Sequence, residues 1–546
     1  MTTNNTASQQ TLPQDMQLLN HFVHEHTRLF LDQQGEAHVE YRIQDDNPLT
    51  AISSIKDKRL VSHLRLLWME HERTILKPEA INNVLAQLEA MASIEERHEL
   101  NPRVAWHVDG QAVVYDLGSD DGAMIYIDDQ GCKTVYRGTA HLPPLHRPES
   151  HHEEQVTPSS NISPSEIQRL FSNFLKISPE DQPLIVAWLG CSLLAQIHQP
   201  ALYLTGGAGA AKSTSVRMLR RLVDPSKTEL LGLARRLEDT EIQLANNHIV
   251  AYDNVGDNLK YDVSDLFCTA ITGGMATKRE HYSNGTEYLM KFDNKIIFNG
   301  VNLAATRPDL LDRMIIIDCE RLSPSERRDE QSLYAEFNQY LPDMFGALCA
   351  GVVEALKIQP SLDIKELQRF ADFTIWGEAF SRAFGYEPNS FLDAYAKNTS
   401  RQITAVIDSD VVATVLKSYC EANRSSEIIF EGTAQHLLNE LLAHIIRTKI
   451  IPIKMDDSPV DPRWPKSESA FGKKMQHLPH VFEQLGIFIT QRRESSSRFY
   501  EIGWLGGVEQ LPSLPSLPSY DDRNDTSDSI GFTVEDTTAH FQKELF

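Results

Sequence analysis

The sequence predicts an α/β protein: a parallel sheet flanked by helices, with an N-terminal α+β domain before it and a helix–strand module after it. Three observations predict this. Short apolar runs, "ALYLT", "HIVAYD", "NKIIFNG" and "RMIIIDC", alternate with helix-patterned segments between residues 201 and 319, the pattern of strands joined by helical crossovers. The first run enters a loop of small residues that opens a helix. The chain is also long, 546 residues, enough for about three or four domains.

Taken in order, residues 1–15 are polar and read as disordered. Residues 16–140 form the N-terminal domain. Its first part, Met16 to Ala92, follows a helical period, with Ile81, Val84, Leu85 and Leu88 on one face. The stretch "RVAWHVDGQAVVYDLGSDDGAMIYIDDQGCKTVYR" then alternates β-rich runs with Asp-Gly and Gln-Gly turns and reads as hairpins. Residues 141–161, rich in Pro, His, Ser and Glu, read as a linker. Its histidines 146, 151 and 152 are expected to be solvated rather than metal ligands. The core spans 162–358 with a helical lead-in, a helical lid fills 359–405, and a further module covers 406–504. The tail, 505–546, is a Leu-Pro-Ser repeat running into acidic sequence and is expected to be disordered.

Composition narrows the function classes. Net charge is −24, so the surface as a whole repels nucleic acid, and DNA contact needs local basic elements or an enclosed channel. No apolar run approaches the roughly 18 residues a membrane span needs. The N-terminus has neither a basic nor an apolar signal region, which predicts a cytoplasmic protein. Six cysteines without C-x-x-C spacing argue against zinc and fit a reducing compartment.

The chemistry starts at "LYLTGGAGAAKSTSVRMLRRL". It nearly spells G-x-x-x-x-G-K-[ST], the loop whose backbone N–H groups cradle nucleotide phosphates. Gly206, Gly207, Ala208, Gly209, Ala210 and Ala211 supply the loop, and Lys212 the charge for the β/γ-phosphates. The Ser213 hydroxyl is the Mg²⁺ ligand, and Thr214 follows in the helix start. Alanine at 211 replaces the usual glycine, and the plain alternative is a Gly/Ala-rich strand–helix turn. About 40 residues on, "HIVAYDN" ends in Asp253, which would hold Mg²⁺ through water. Asn254 stands where a water-activating glutamate is common; an amide orients water but cannot take its proton. Asn299 ends the third strand as a candidate γ-phosphate or water sensor. Arg313 begins the last strand as a candidate finger for a neighbouring subunit's phosphate, with a surface ion pair to Asp309 or Asp312 as the alternative. Four such elements in this order predict a nucleotide-binding AAA+ core.

"GGAGAAKS" resembles the Walker A segment of minichromosome-maintenance (MCM) helicases, which carry alanine at the same place, and "LLDRMIII" resembles their arginine-finger segment. "FCTAITGGMATKREHYSNGTEY" and "RFADFTIWGEAFSRAFG" are similar to MCM-like AAA+ replication ATPases of phage-inducible islands, cassette elements and prophages. The resemblance covers about residues 201–400 well and the C-terminal module loosely. It implies a β-hairpin projecting into a hexamer's channel, with Lys278, Arg279, His281 and Asn284 as DNA-contacting candidates, although Arg279 is equally a structural residue. It also makes Arg369 a sensor that touches phosphates from the lid, the alternative being a salt bridge to Asp372. Trp376 and Phe380 read as lid core.

In the last module a helix from Ser469 to Leu485, "GIFITQRR", the turn "ESSS" and "RFYEI" read as half of a winged helix with its wing at 494–497. Lys473, Lys474, Arg492, Arg493 and Arg498 are its candidate DNA contacts; winged helices that only bind proteins are the alternative. The expectation is an ATP- and Mg²⁺-dependent DNA helicase, a homo-oligomeric ring of hexamer type acting on single-stranded or forked DNA in replication of a mobile element or prophage. A primase, polymerase or loader is a candidate partner. The rivals are a nucleotide-gated switch in phage defence or regulation and an assembly or origin-recognition factor with little turnover.

Overall fold

A computed structural model describes residues 12–23, 28–44, 47–107, 109–137, 142–146, 152–255, 259–279, 287–300, 308–454, 458–476, 478–494 and 497–505. The chain divides into two units, Met1–Lys417 with His444–Pro465, and Ser418–Ala443 with Lys466–Phe546.

The first unit begins with α1 (Gln14–Val23) and an antiparallel sheet of β1 (Arg28–Leu31), β2 (Ala37–Gln44) and β3 (Asn47–Ser54). The helical expectation for residues 16–92 is therefore wrong over 28–54. The overlooked signal is turn chemistry. Asp32 Oδ1 accepts the N–H groups of Gln34 and Glu36, and Gly35 takes φ +85°, so the chain reverses before a helix can nucleate. Val39 and Tyr41 then point inward, two residues apart, the strand period. Two helices follow, α2 (Lys58–Glu72), capped by Asp57, and α3 (Pro78–Ala92), with proline in its first turn. Ile81, Val84 and Leu88 are fully buried with Leu60, Leu64 and Trp68 in the core these elements share, and Leu85 packs partly buried against it.

Next comes an antiparallel meander, β4 (Val104–Trp106), β5 (Val113–Asp116), β6 (Ala123–Asp128) and β7 (Gly131–Tyr136), paired in chain order. Turns at Gly110, Gly122 and Gly131, all at positive φ, connect them. The segment read as a solvated linker packs instead. Leu145 is fully buried, Gln155 is 2% exposed, and the Gln155 amide donates to the carbonyls of Arg221 and Leu222. Ser159 bonds the Asp343 carboxylate at 2.6 Å. Burial, with Arg59 and His38 nearby, pushes the His146 imidazole down to about 4, so it stays neutral at physiological pH. His151 lies outside the described residues.

The core follows: α4 (Gln168–Asn173), α5 (Gln182–Cys191), β8 (Ala201–Thr205), α6 (Lys212–Val223), α7 (Leu237–Ala245), β9 (Ile249–Tyr252), α8 (Tyr261–Ile271), β10 (Met275–Arg279), β11 (Glu287–Lys291), β12 (Lys295–Asn299), α9 (Pro308–Leu311) and β13 (Met314–Asp318). Helix α5 is buried all round, which explains its continuous apolar sequence. The sheet is parallel in the order β13-β8-β12-β9, and Leu231 bridges Tyr252 beyond its β9 edge. Its strands read Val/Ile/Leu-rich because both faces are covered. After β13 come α10 (Glu330–Ile358), α11 (Ala371–Ala383), α12 (Ser390–Ser409) and α13 (Val411–Ala422).

Helix α12 runs along β13. The Asn398 amide accepts from Ile316 N–H and donates to Ile316 C=O, and Gln402 donates to the Met314 carbonyl. Side-chain amides thus complete the unpaired edge of the sheet. Phe380 is fully buried against Gly190, and the Trp376 ring packs tilted against it at 6.2 Å, so both serve packing.

The second unit contains β14 (Ile428–Thr433), much of α14 (Ala434–Thr448), α15 (Glu468–Met475), α16 (Leu478–Glu483), β15 (Ile487–Glu494) and β16 (Ser497–Trp504). Its sheet is antiparallel in the order β14-β16-β15. One helix was expected over 469–485, and there are two. Pro479 has no N–H for a helix continuing from α15, and its ring collides with the carbonyl four residues back.

A buried charge joins the meander to the core. The Arg103 side chain, 1% exposed, pairs with Asp224 at 3.0 Å and donates to the carbonyls of Asp116, Leu117, Glu153 and Pro225. Arg103→Ala leaves Asp224 buried without its partner, and urea unfolding should show a loss of about 3–5 kcal/mol; a loss below about 1 kcal/mol refutes this role.

Candidate functional site

Strand β8 lies between β12 and β13, so the chain leaves it at the point where the strand order reverses, the usual place for a ligand crevice in an open parallel sheet. The loop from Gly206 to Ala211 then enters α6. Gly207, Ala208 and Gly209 are exposed, while Ala210 is buried and anchors the loop. Three loop positions have left-handed backbone: Gly206 (φ +143°), Gly209 (φ +82°) and Ala211 (φ +53°). Ala211 sits directly before α6, so an L side chain occupies a conformation that favours glycine. The Lys212 ammonium folds back onto the loop, donating to the carbonyls of Gly206 (2.8 Å) and Gly207 (3.1 Å). The N–H groups of Lys212, Ser213 and Thr214 open α6 without intrahelical acceptors, which leaves the positive end of the helix dipole available to an anion.

Two neighbouring strand ends meet this helix start. The Ser213 hydroxyl donates to Asp253 Oδ1 at 2.7 Å, and the Asn299 amide nitrogen is 3.5 Å from the same hydroxyl. Asn299 is 2% exposed, and its Oδ1 accepts the Asn254 N–H at 2.7 Å. That bond holds Asn254 at φ +50° with its side chain exposed. Lys212, Ser213, Asp253, Asn254 and Asn299 are therefore one constellation at the carboxyl end of the sheet.

Arg313 and Arg369 are not part of it. Strand β13 pairs with β8 from Met314↔Ala201 to Asp318↔Thr205, which puts Arg313 at the opposite end, five residue steps or about 17 Å from Asp318. Its guanidinium donates to the Asp309 carbonyl, and Nε has no partner among the described residues. The alternative reading of Arg313, an ion pair to the side chain of Asp309 or Asp312, is not found among the described residues, and Asp312 pairs with Arg369. Arg369 thus bonds neither Asp372 nor its own chain's loop; it shares Arg313's end of β13. The sequence held no signal for this pairing, which joins residues 57 positions apart.

Strands β10 and β11 form a two-stranded antiparallel ribbon, with Lys278 opposite Tyr288 and Arg279 opposite Glu287. Lys278 and Arg279 are thus the last paired residues before the connection; His281 and Asn284 lie outside the described residues. In the second unit β15 and β16 pair out to Glu494↔Ser497, so their turn falls at 495–496, also outside. The five basic candidates there differ. Arg492 pairs with Glu431 at 3.2 Å. Arg498 packs against Gly472 of α15, a structural use. Lys473 and Arg493 are exposed and Lys474 half-buried.

Residues 167–398 match the model of a family described as actinomycete integrative conjugative element replication protein. This region is therefore similar to replication proteins of mobile genetic elements. The apo structure of the NrS-1 C-terminal region is similar at a TM-score of 0.39 and 13% identity, covering 90% of this chain and 100% of that one. Its A form gives 0.39 and 12%, covering 89% and 98%. Scores this low do not establish a shared fold. No curated protein matches. Among the described residues, no helix is long and apolar enough to cross a membrane.

The strained alanine yields a signed prediction. Ala211→Gly should raise stability in urea by roughly 0.5–1 kcal/mol, whereas Ala210→Gly, at a buried position without positive φ, should lower it. Equal losses in both would show that position 211 carries no strain.

Proposed function

We propose that this chain is an ATP-dependent DNA helicase or translocase with an AAA+ core, acting as a head-to-tail ring in replication of a mobile genetic element. The observation that carries this reading is the convergence of the 206–211 loop, Lys212, Ser213, Asp253 and Asn299 at one end of the parallel sheet. A loop of small residues feeding a helix start suits the phosphates of ATP. The donor set suits Mg²⁺, a hard cation that takes oxygen ligands. The Ser213 hydroxyl and the Asp253 carboxylate lie 2.7 Å apart, so Ser213 would hold the ion directly and Asp253 would hold it through water. When bound, Mg²⁺ would offset charge on the phosphates. On ATP binding the Lys212 ammonium would exchange its two loop carbonyls for phosphate oxygens, and Asn299 would orient water beside Asn254.

Arg313 and Arg369 support a ring. At the far end of β13 they are out of reach of their own nucleotide, so a phosphate that either of them contacts would belong to a neighbour. In such a ring the β10–β11 ribbon would bring Lys278 and Arg279 to the channel, and repetition around the ring would concentrate positive charge despite the acidic chain. The helix–helix–ribbon arrangement of the second unit, with Lys473 and Arg493 exposed, fits a winged helix whose ribbon lies beside a DNA backbone. The match of residues 167–398 to a mobile-element replication family supports the same setting. Asn254 favours one second reading, a slow nucleotide-gated switch, because no carboxylate stands there to accept a proton.

ATP turnover and displacement of a labelled strand from a forked duplex, measured together, test the proposal. Lys212→Ala and Arg313→Ala should each lower turnover by about 10³-fold or more. Mixing the two variants should restore part of the activity, because each supplies the half the other lacks. Turnover without displacement supports the switch; no recovery on mixing removes the trans role of Arg313.

A further inference from the structure

The chain that leaves β13 passes back over the loop. The Cys319 carbonyl lies 2.5 Å from where a Cβ on Gly206 would stand, so the two segments touch. Further along, Arg327 Nη2 sits 3.5 Å from where a Cβ on Gly209 would stand, beside the exposed middle of the loop. The neighbours of Arg327 are tied down. The Glu326 carboxylate accepts the Ser323 N–H at 2.9 Å and hydroxyl at 2.8 Å and pairs with Lys176 at 3.0 Å. Those bonds and that charge hold its carboxyl at about 2. Arg328 pairs with Glu336, and Asp329 caps α10 by accepting the Ser332 N–H at 2.8 Å. Among the described residues Arg327 has no ion-pair partner, and its exposed guanidinium ends at the loop.

We propose that Arg327 binds the polyphosphate of the nucleotide held by its own chain's 206–211 loop. The proposal rests on the nucleotide reading of that loop and adds a second cation to Lys212. A guanidinium offers two parallel N–H donors to phosphate oxygens, and the pinned residues on either side present it with little ordering cost. Its geometry is the opposite of Arg313's: Arg327 lies at the loop end of the sheet and serves in cis.

Equilibrium binding of fluorescent ATP to the full chain, with inorganic tripolyphosphate as competitor, tests this. Wild type is compared with Lys212→Ala, Arg313→Ala, Arg327→Ala and Arg327→Lys. Arg327→Ala should weaken ATP and tripolyphosphate alike, by about 10- to 100-fold, and Arg327→Lys should fall between. The ligand-free unfolding midpoint of Arg327→Ala should be unchanged, since the side chain is exposed. If Lys212→Ala loses binding while Arg327→Ala binds both ligands like wild type, the nucleotide reading stands and this proposal fails. If Arg327→Ala weakens ATP but not tripolyphosphate, the contact is with the base or sugar, and the phosphate assignment is overturned. If wild type binds neither ligand, the nucleotide reading falls and takes this one with it.

Discussion

The Arg103–Asp224 pair fixes the far end of α6, and the geometry of the loop depends on it. One Asp224 oxygen accepts from Arg103 Nε and the other from the Ile249 N–H. The same carboxylate therefore sets where α6 stops and where β9 starts. Helix α6 begins at Lys212, and β9 leads into Asp253, so both halves of the Ser213–Asp253 contact trace back to one anchored charge. Burial alone would raise the Asp224 carboxyl, but the Arg103 guanidinium, with His248 and Arg220, reverses the sign and holds it below the usual range. The remaining N–H groups of Arg103 go to carbonyls of the meander and the packed segment at Glu153. A single side chain thus joins the meander to the core.

The same economy of polar groups recurs at the β13 edge. An exposed strand edge invites pairing with another chain, and here Asn398 and Gln402 remove that hazard with amides carried on α12. Asn398 is fully buried, so its two bonds to Ile316 form where water cannot compete, and both donor and acceptor of that residue are satisfied. The rigidity this gives β13 matters because the strand carries polar contacts at both ends: the Arg369–Asp312 pair and Arg313 at one, the contact of Cys319 with Gly206 at the other.

What could be read from the sequence was local. Apolar runs ending in a polar residue placed Asp253 and Asn299, Asp-Gly turns marked the meander, and the spacing of Lys212 and Ser213 after a strand located the loop. What could not be read was either non-local or hidden by competing patterns. The β1–β3 sheet lies in a stretch whose apolar spacing reads as helix, and the signal against it is the turn chemistry of Asp32 and Gly35. The packed segment at 152–161 has the composition of a linker, and its partners on the meander, α6 and α10 bury it. Proline at 479 splits a helix whose apolar spacing continues across the break. Arg369 has a carboxylate three residues away, yet tertiary structure gives it Asp312.

Strand β13 carries a last consequence, one of symmetry. If one subunit's Arg313 end meets the next subunit's loop end, the two touching surfaces are unlike, so no two-fold axis can relate them. Such contacts propagate in one direction, and whether they close into a ring or run on as a helical filament depends only on the rotation between neighbours. Every closed copy then reads the copy ahead and is read by the one behind, which gives the assembly a sense of direction before any DNA is bound.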